Sequence, residues 1–242
     1  MRPHEHSAPH PSEAVRRLVL ANGWNATSYQ LLNPGFEYWF TPDREALVAF
    51  VRHHGVRVVA GVPVCAADST ANVAEAFERD AAACDEHVAY FAVERRALTA
   101  WIPRRPEATA FLIGAQPVWR PDTMVRTLHE RPSLRAQLNR AANKGVAVTE
   151  WDRARAMNAP ALRACLNEWL DRRGLPALHF LVEPDTLGHL ADRHVFVAER
   201  SGTVVGFLVA SPIAARHGWL VEQIVRGEDA PNGTAEALLD AA

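Results

Sequence analysis

The sequence predicts an α/β (α+β) fold built from two tandem units, each a mixed central sheet flanked by helices. Three observations lead there. The chain has 242 residues, too long for one small module and suited to one large domain or two compact ones. Hydrophobic residues make up 48% and charged residues 22%, a globular balance that excludes wholesale disorder. Apolar residues switch between helical spacing and strand-like runs, and the order strands, helix, strand occurs twice. The reading is a disordered tail at 1–12, a first unit at 13–110 and a second at 111–242.

In the first unit, Glu13 to Asn22 reads as a helix with Val15, Leu18 and Val19 on one face and Gly23 as its stop. Phe36–Phe40 and Leu47–Arg52 read as strands around the turn Thr41-Pro42-Asp43. Arg57–Gly61 is a short apolar run expected to be a buried strand. Ser69–Asp85 repeats Val73, Ala76, Phe77, Ala81 and Cys84 at helical spacing, with Ser69 or Thr70 as its cap. Val88–Val93 closes the unit as another strand, after a mainly antiparallel start.

The second unit repeats the pattern. Phe111–Ile113 and Pro117–Trp119 are strand-like, Ser133–Asn143 is a helix capped by Ser133, and Val146–Thr149 is a strand. Pro160–Arg173 is an amphipathic helix with Leu162, Cys165, Leu166, Trp169 and Leu170 on one face, stopped by Gly174. Strands follow at 195–199, 204–211 and 219–225, the first two joined by a hairpin turn at 200–203. Thr234 opens a last helix.

Composition narrows the chemistry. A net charge of −2 argues against a surface given over wholly to nucleic acid or membrane, though a local basic patch remains open. Cys65, Cys84 and Cys165 suit a reducing compartment and buried thiols better than a disulfide framework or zinc site. No 18-residue apolar run or signal core occurs, which leads to a cytoplasmic protein without a membrane-spanning segment. His4-Glu5-His6 lacks further ligands at fixed spacing, so no metal is expected. Only one of the 26 basic residues, Lys144, is lysine, and 42 residues are alanine, the mark of GC-rich codon use. No phosphate-loop GKS/T, nucleophile elbow, HExxH or CxxC is present, against an NTPase, a hydrolase or a zinc enzyme.

Two segments carry chemistry. The run Val221-Glu222-Gln223-Ile224-Val225-Arg226 leads through Gly227, Asn232 and Gly233 to a helix beginning at Thr234. Backbone N–H groups at such a helix start cradle anions, and Arg226 at the strand end adds a planar phosphate clamp. A plain strand-to-helix turn accounts for the same residues, with Gly233 permitting the bend and Thr234 capping. In the second segment, Arg135 and Asn139 share one helix face and Arg140 and Lys144 another. With Arg126 and Arg131 they make a local positive stretch, suited to an RNA end or nucleotide, or else a solvated helix face. His179 is a weaker candidate: a general acid or base, or a hydrogen-bonded core histidine.

The helix LRAQLNRAANKGVAV, the preceding IGAQPVW and the stretch VEQIVRGEDAPNGTAEALLDAA resemble the phosphatidylglycerol lysyltransferase C-terminal domain family. That family is the cytoplasmic half of the multiple peptide resistance factors and also occurs as stand-alone proteins. The resemblance covers about residues 30–242, its most specific part being Ala230-Pro231-Asn232-Gly233 after an Arg. It implies two tandem GNAT-like acyltransferase folds, the second of which takes an amino acid from aminoacyl-tRNA and esterifies a lipid hydroxyl. No cofactor is implied beyond that donor; the partners would be the tRNA acceptor end and a lipid or small-molecule acceptor, with peripheral membrane contact. Arg226 matches the family's strand-ending Arg, the 230–233 loop the segment beside the acceptor end, and Arg135, Asn139, Arg140, Asn143 and Gly145 the helix leading into the second domain. Where lysyl- and alanyl-transferring members carry an Asp three residues before that Arg, this chain has Gln223, with Glu222 on the opposite strand face. Glu222 or His179 is then the expected proton acceptor. An acyl-CoA-dependent N-acetyltransferase and a non-catalytic binding protein stand as alternatives. Because a GNAT fold continues after the phosphate loop, the second domain is expected to be C-terminally incomplete, with a bare apolar edge near 219–225.

Overall fold

The computed structural model describes residues 13–101, 105, 107–174 and 179–242. The tail expected at 1–12, with His4 and His6, lies outside them. The described residues divide into two compact units: 13–113 with 179–183 and 212–220, and 114–174 with 184–211 and 221–242.

The first unit runs α1 (Glu13–Asn22), β1 (Glu37–Phe40), β2 (Leu47–His53), β3 (Val56–Ala60), α2 (Thr70–Ala83), β4 (His87–Phe91) and α3 (Arg95–Trp101). Its sheet has the order β1-β2-β3-β4; the first three strands are antiparallel, and β4 lies parallel to β3. The parallel pair follows from the crossover through α2, which returns the chain to the starting end of β3. Side-chain alternation along β2 then feeds two cores. Leu47 and Ala49 meet Val15, Leu18 and Val19 of α1, while Val48 and Phe50 meet Val73 and Phe77 of α2. Burying a side chain such as Phe77 contributes about 1.5–3 kcal/mol, so the two faces together fix the strand register. Arg57 is the polar exception inside this sheet, 2% exposed. Its guanidinium donates to Asp80 at 2.7 Å and Glu86 at 2.6 Å, the pairing a buried charge requires. The hydrogen bond from Arg57 in turn holds the Glu86 carboxyl below its ordinary range. Phe180, in the 179–183 segment, packs on Phe36 and Phe91 at ring distances of 5.3 and 5.9 Å.

The second unit runs α4 (Met124–Glu130), α5 (Pro132–Asn143), β5 (Val146–Trp151), α6 (Arg153–Met157), α7 (Pro160–Arg173), β6 (His194–Arg200), β7 (Thr203–Ile213), β8 (Gly218–Arg226) and α8 (Thr234–Ala241). The 212–220 tip of the β7–β8 hairpin groups with the first unit. The order is β5-β6-β7-β8, with β5–β6 and β6–β7 antiparallel. Ser201 and Gly202 join β6 to β7 with φ of 51° and 78°, the left-handed pair that a two-residue hairpin turn needs. One sheet face carries Val195, Val197, Phe207, Val209 and Val225 against Leu162, Cys165 and Leu166 of α7. The other carries Ala198, Leu208 and Ala210 against Leu238 of α8. β8 is the sheet's edge among the described residues, and Trp219 on it is half exposed.

The mixed α/β class and the two sheets flanked by helices are as the sequence predicts. Several local expectations are corrected. Phe111–Ile113 and Pro117–Trp119 form no strand: the segment is irregular, with Leu112 95% exposed. Their apolar character imitates a strand, but extended backbone becomes one only with a neighbour to pair with. α5 begins at Pro132, which lacks an N–H and tolerates the uncapped first position, so Ser133 is not its cap. Ser69 stands at the start of α2 without a side-chain cap bond, and the Thr70 hydroxyl donates to the Ala67 carbonyl. Among the described residues no helix is long and apolar enough to cross a membrane.

Candidate phosphate-binding site

The loop between β8 and α8 is held on three sides. The Gly227 N–H donates to the Val205 carbonyl at 3.0 Å, which fastens the loop's start to β7. The Thr234 hydroxyl, fully buried, donates to the Pro231 carbonyl at 2.7 Å. Gly233 has φ 97°, and a Cβ there would stand 2.1 Å from the Gln137 carbonyl oxygen of α5. Only glycine permits both that backbone and that approach. The two segments singled out in the sequence therefore converge: α5 forms the wall behind the loop.

Among the described residues, the N–H groups of Asn232, Gly233, Ala235 and Glu236 have no protein acceptor, as the first turn of a helix leaves them. Beside them lies an open depression of about 330 Å³ lined by Lys144, Arg200, Glu228, Asp229, Ala230, Pro231 and Asn232. Lys144 and Arg200 supply two cations, and unpaired N–H groups at a helix start supply partial positive charge. Glu228 and Asp229 put two carboxylates in the same depression, so the site has poles of both signs.

A family model for the phosphatidylglycerol lysyltransferase C-terminal domain matches residues 16–242. The chain belongs to that family. A solved C-terminal domain of a putative lysylphosphatidylglycerol synthetase from Agrobacterium fabrum is similar with a TM-score of 0.82 at 15% identity, over 94% of this chain and 72% of that one. The L-PGS structure from Bacillus licheniformis gives a TM-score of 0.80 at 22% identity, over 98% of this chain and 72% of that one. A conserved protein of unknown function from Bacteroides thetaiotaomicron gives 0.68 at 15% identity, over 97% and 84%. No curated protein matches significantly.

The candidate site residues read from the sequence are distributed unevenly. Lys144, Asn232, Gly233 and Thr234 meet at or beside the cradle. Arg226 ends β8 immediately before it, exposed and without an ion-pair partner among the described residues. Gly227 is structural, its N–H already bonded to Val205. Arg135 is turned to α4, donating to the Leu128 carbonyl at 2.6 Å and also to that of His129. Asn139 is exposed, and Arg140 donates to Gln137 within α5 at 3.1 Å.

The two expected proton acceptors are placed differently from the expectation. The Glu222 side chain is buried, both oxygens accepting from Arg193 at 2.9 Å. A carboxylate so engaged is held in an internal ion pair rather than left as an open base. His179 belongs to the other unit, with its side chain 70% exposed and its Nδ1 3.1 Å from a Glu183 oxygen; it is not a core histidine. Gln223 is also engaged at both ends: its carbonyl accepts from the Thr186 hydroxyl at 2.8 Å and its amide donates to the Pro184 carbonyl at 3.0 Å.

Sequence reasoning missed Arg200 and Arg193. Arg200 ends β6, and only the β5–β6 register, with Val146 opposite Arg200, brings it beside Lys144. Its Nε donates to the Lys144 carbonyl at 3.0 Å. Arg193 carries no local motif at all; it is 29 residues from its partner Glu222.

Proposed function

We propose that the chain is a transferase that moves an amino acid from aminoacyl-tRNA to the hydroxyl of a phosphatidylglycerol-like lipid at the cytoplasmic membrane surface. The observation that carries this reading is the row of unpaired N–H groups at the start of α8, flanked by Lys144 and Arg200. Family membership supplies the reaction class. Phosphates at the tRNA acceptor end would lie on the cradle, with Arg226 clamping from the strand end. Glu228 and Asp229 would face the donor's ammonium group. The acceptor hydroxyl oxygen attacks the ester carbonyl, the new ester forms, and the terminal ribose oxygen leaves carrying the proton given up by the acceptor. An activated ester needs mainly positioning and stabilisation of the oxyanion, so no buried side-chain base is required. Radiolabelled transfer from charged tRNAs to phosphatidylglycerol vesicles tests the proposal. Arg226→Ala should lower the rate at least tenfold with the unfolding midpoint unchanged; an unchanged rate refutes the assignment.

A further inference from the structure

The first unit holds a second cavity, of about 420 Å³, beyond the carboxyl ends of the parallel pair β3–β4. Crevices at that position in α/β layers are where ligands bind, because helix starts and loops converge there while the strands hold them rigidly. The walls come from the segment after β3, from the end of α1 and from α3, with Trp24, Val64 and Trp101 giving an apolar lining.

Its polar groups are unevenly satisfied. Glu94 accepts from the Ala26 N–H at 2.7 Å and from Arg216 at 3.3 Å, so its charge is balanced. Asp68 is exposed, takes the Ser69 hydroxyl at 3.1 Å, and lies just before α2, whose positive end offsets it. One cation in the lining stands without a counter-charge. Arg96 lies over the Trp24 ring at 3.8 Å and has no carboxylate partner among the described residues. Trp101, 5% exposed, contributes its indole ring to the apolar wall.

We infer that this cavity binds a small organic anion with an apolar body: the anionic head on Arg96, the body against the Trp24 and Trp101 rings. The site is independent of the transfer reaction proposed above. Isothermal titration of the full chain with phenylacetate and the cation phenethylamine tests it. Phenylacetate should bind at one site per chain, and phenethylamine should not. Arg96→Ala should weaken anion binding at least tenfold and Ala71→Phe, which fills the cavity, should abolish it, with unfolding midpoints retained. Arg226→Ala should leave binding unchanged, so failure here and failure of the transfer proposal are separable. Equal binding of phenethylamine, absence of anion binding, or retention of binding in Arg96→Ala overturns the inference.

Discussion

Replacing Gly233 by alanine probes the contact that builds the cradle. The residue has φ 97°, and the added Cβ would lie 2.1 Å from the Gln137 oxygen, 2.9 Å from the Gln137 carbonyl carbon and 3.2 Å from the Ala141 Cβ. The first two atoms are helix backbone and cannot swing aside, so the start of α8 must move off α5. A positive φ costs a non-glycine residue about 1–2 kcal/mol, and overpacking adds about 1–3 kcal/mol. The sum is about 2–5 kcal/mol, or roughly 4–20 °C in Tm at this chain length. Gly227→Ala is the internal comparison. Its φ is not in the left-handed region, and the nearest atom is the Glu168 carboxylate oxygen at 2.9 Å, the mobile end of a side chain. That variant should cost less than about 1 kcal/mol. Urea unfolding followed by circular dichroism compares the pair. A Gly233→Ala midpoint equal to the parent's, or an equal loss in Gly227→Ala, would refute the argument that α5 and the loop are locked at this point.

Other outcomes follow from the same contacts. Glu222→Ala takes the carboxylate away from the buried Arg193 guanidinium and should destabilise the protein by about 3–5 kcal/mol in urea titration, whereas paired replacement by Arg193→Met and Glu222→Leu should restore most of the loss. Burial pushes the Cys165 thiol up to about 11 and also raises that of Cys65, while Cys84 is exposed. A thiol-reagent time course at pH 8 should therefore show one fast cysteine, and Cys84→Ser should remove it; two fast thiols would contradict this packing. Glu86, through Arg57, and Asp43, through Thr41, have lowered folded-state pKa values. Such groups bind fewer protons folded than unfolded, so their stabilisation is present above the ordinary carboxylate pKa and is lost as pH falls through the lowered values. Stability should decline in that acid range, less steeply in Glu86→Gln, measured as unfolding midpoints from pH 6 to pH 2.

Much of the fold is legible in the residues because it rests on local periodicity. The α1 face Val15-Leu18-Val19, the α2 row Val73-Phe77-Ala81 and the α7 row Leu162-Cys165-Leu166 are all buried where helical spacing puts them. The three strands from β6 to β8 lie within a residue or two of their apolar runs. Short helices such as α3, α4 and α6 escaped because five to seven residues hold too few turns to show a period. The exposed 111–119 run misled for the opposite reason, since apolar composition signals a strand whether or not a partner exists.

The sequence by itself determined the loop at the end of β8 and its make-up: a glycine that must bend, a helix start with free N–H groups, an arginine before it. These are properties of a dozen consecutive residues. Only the tertiary structure decided which side chains join that loop and which are withdrawn from it. Lys144 and Arg200 became neighbours through strand register, and Arg135 was turned away to the end of α4. Glu222 was closed off by Arg193. Partnerships between distant residues depend on how sheets and helices pack, and a charge finds its counterpart only after burial makes leaving it unpaired costly.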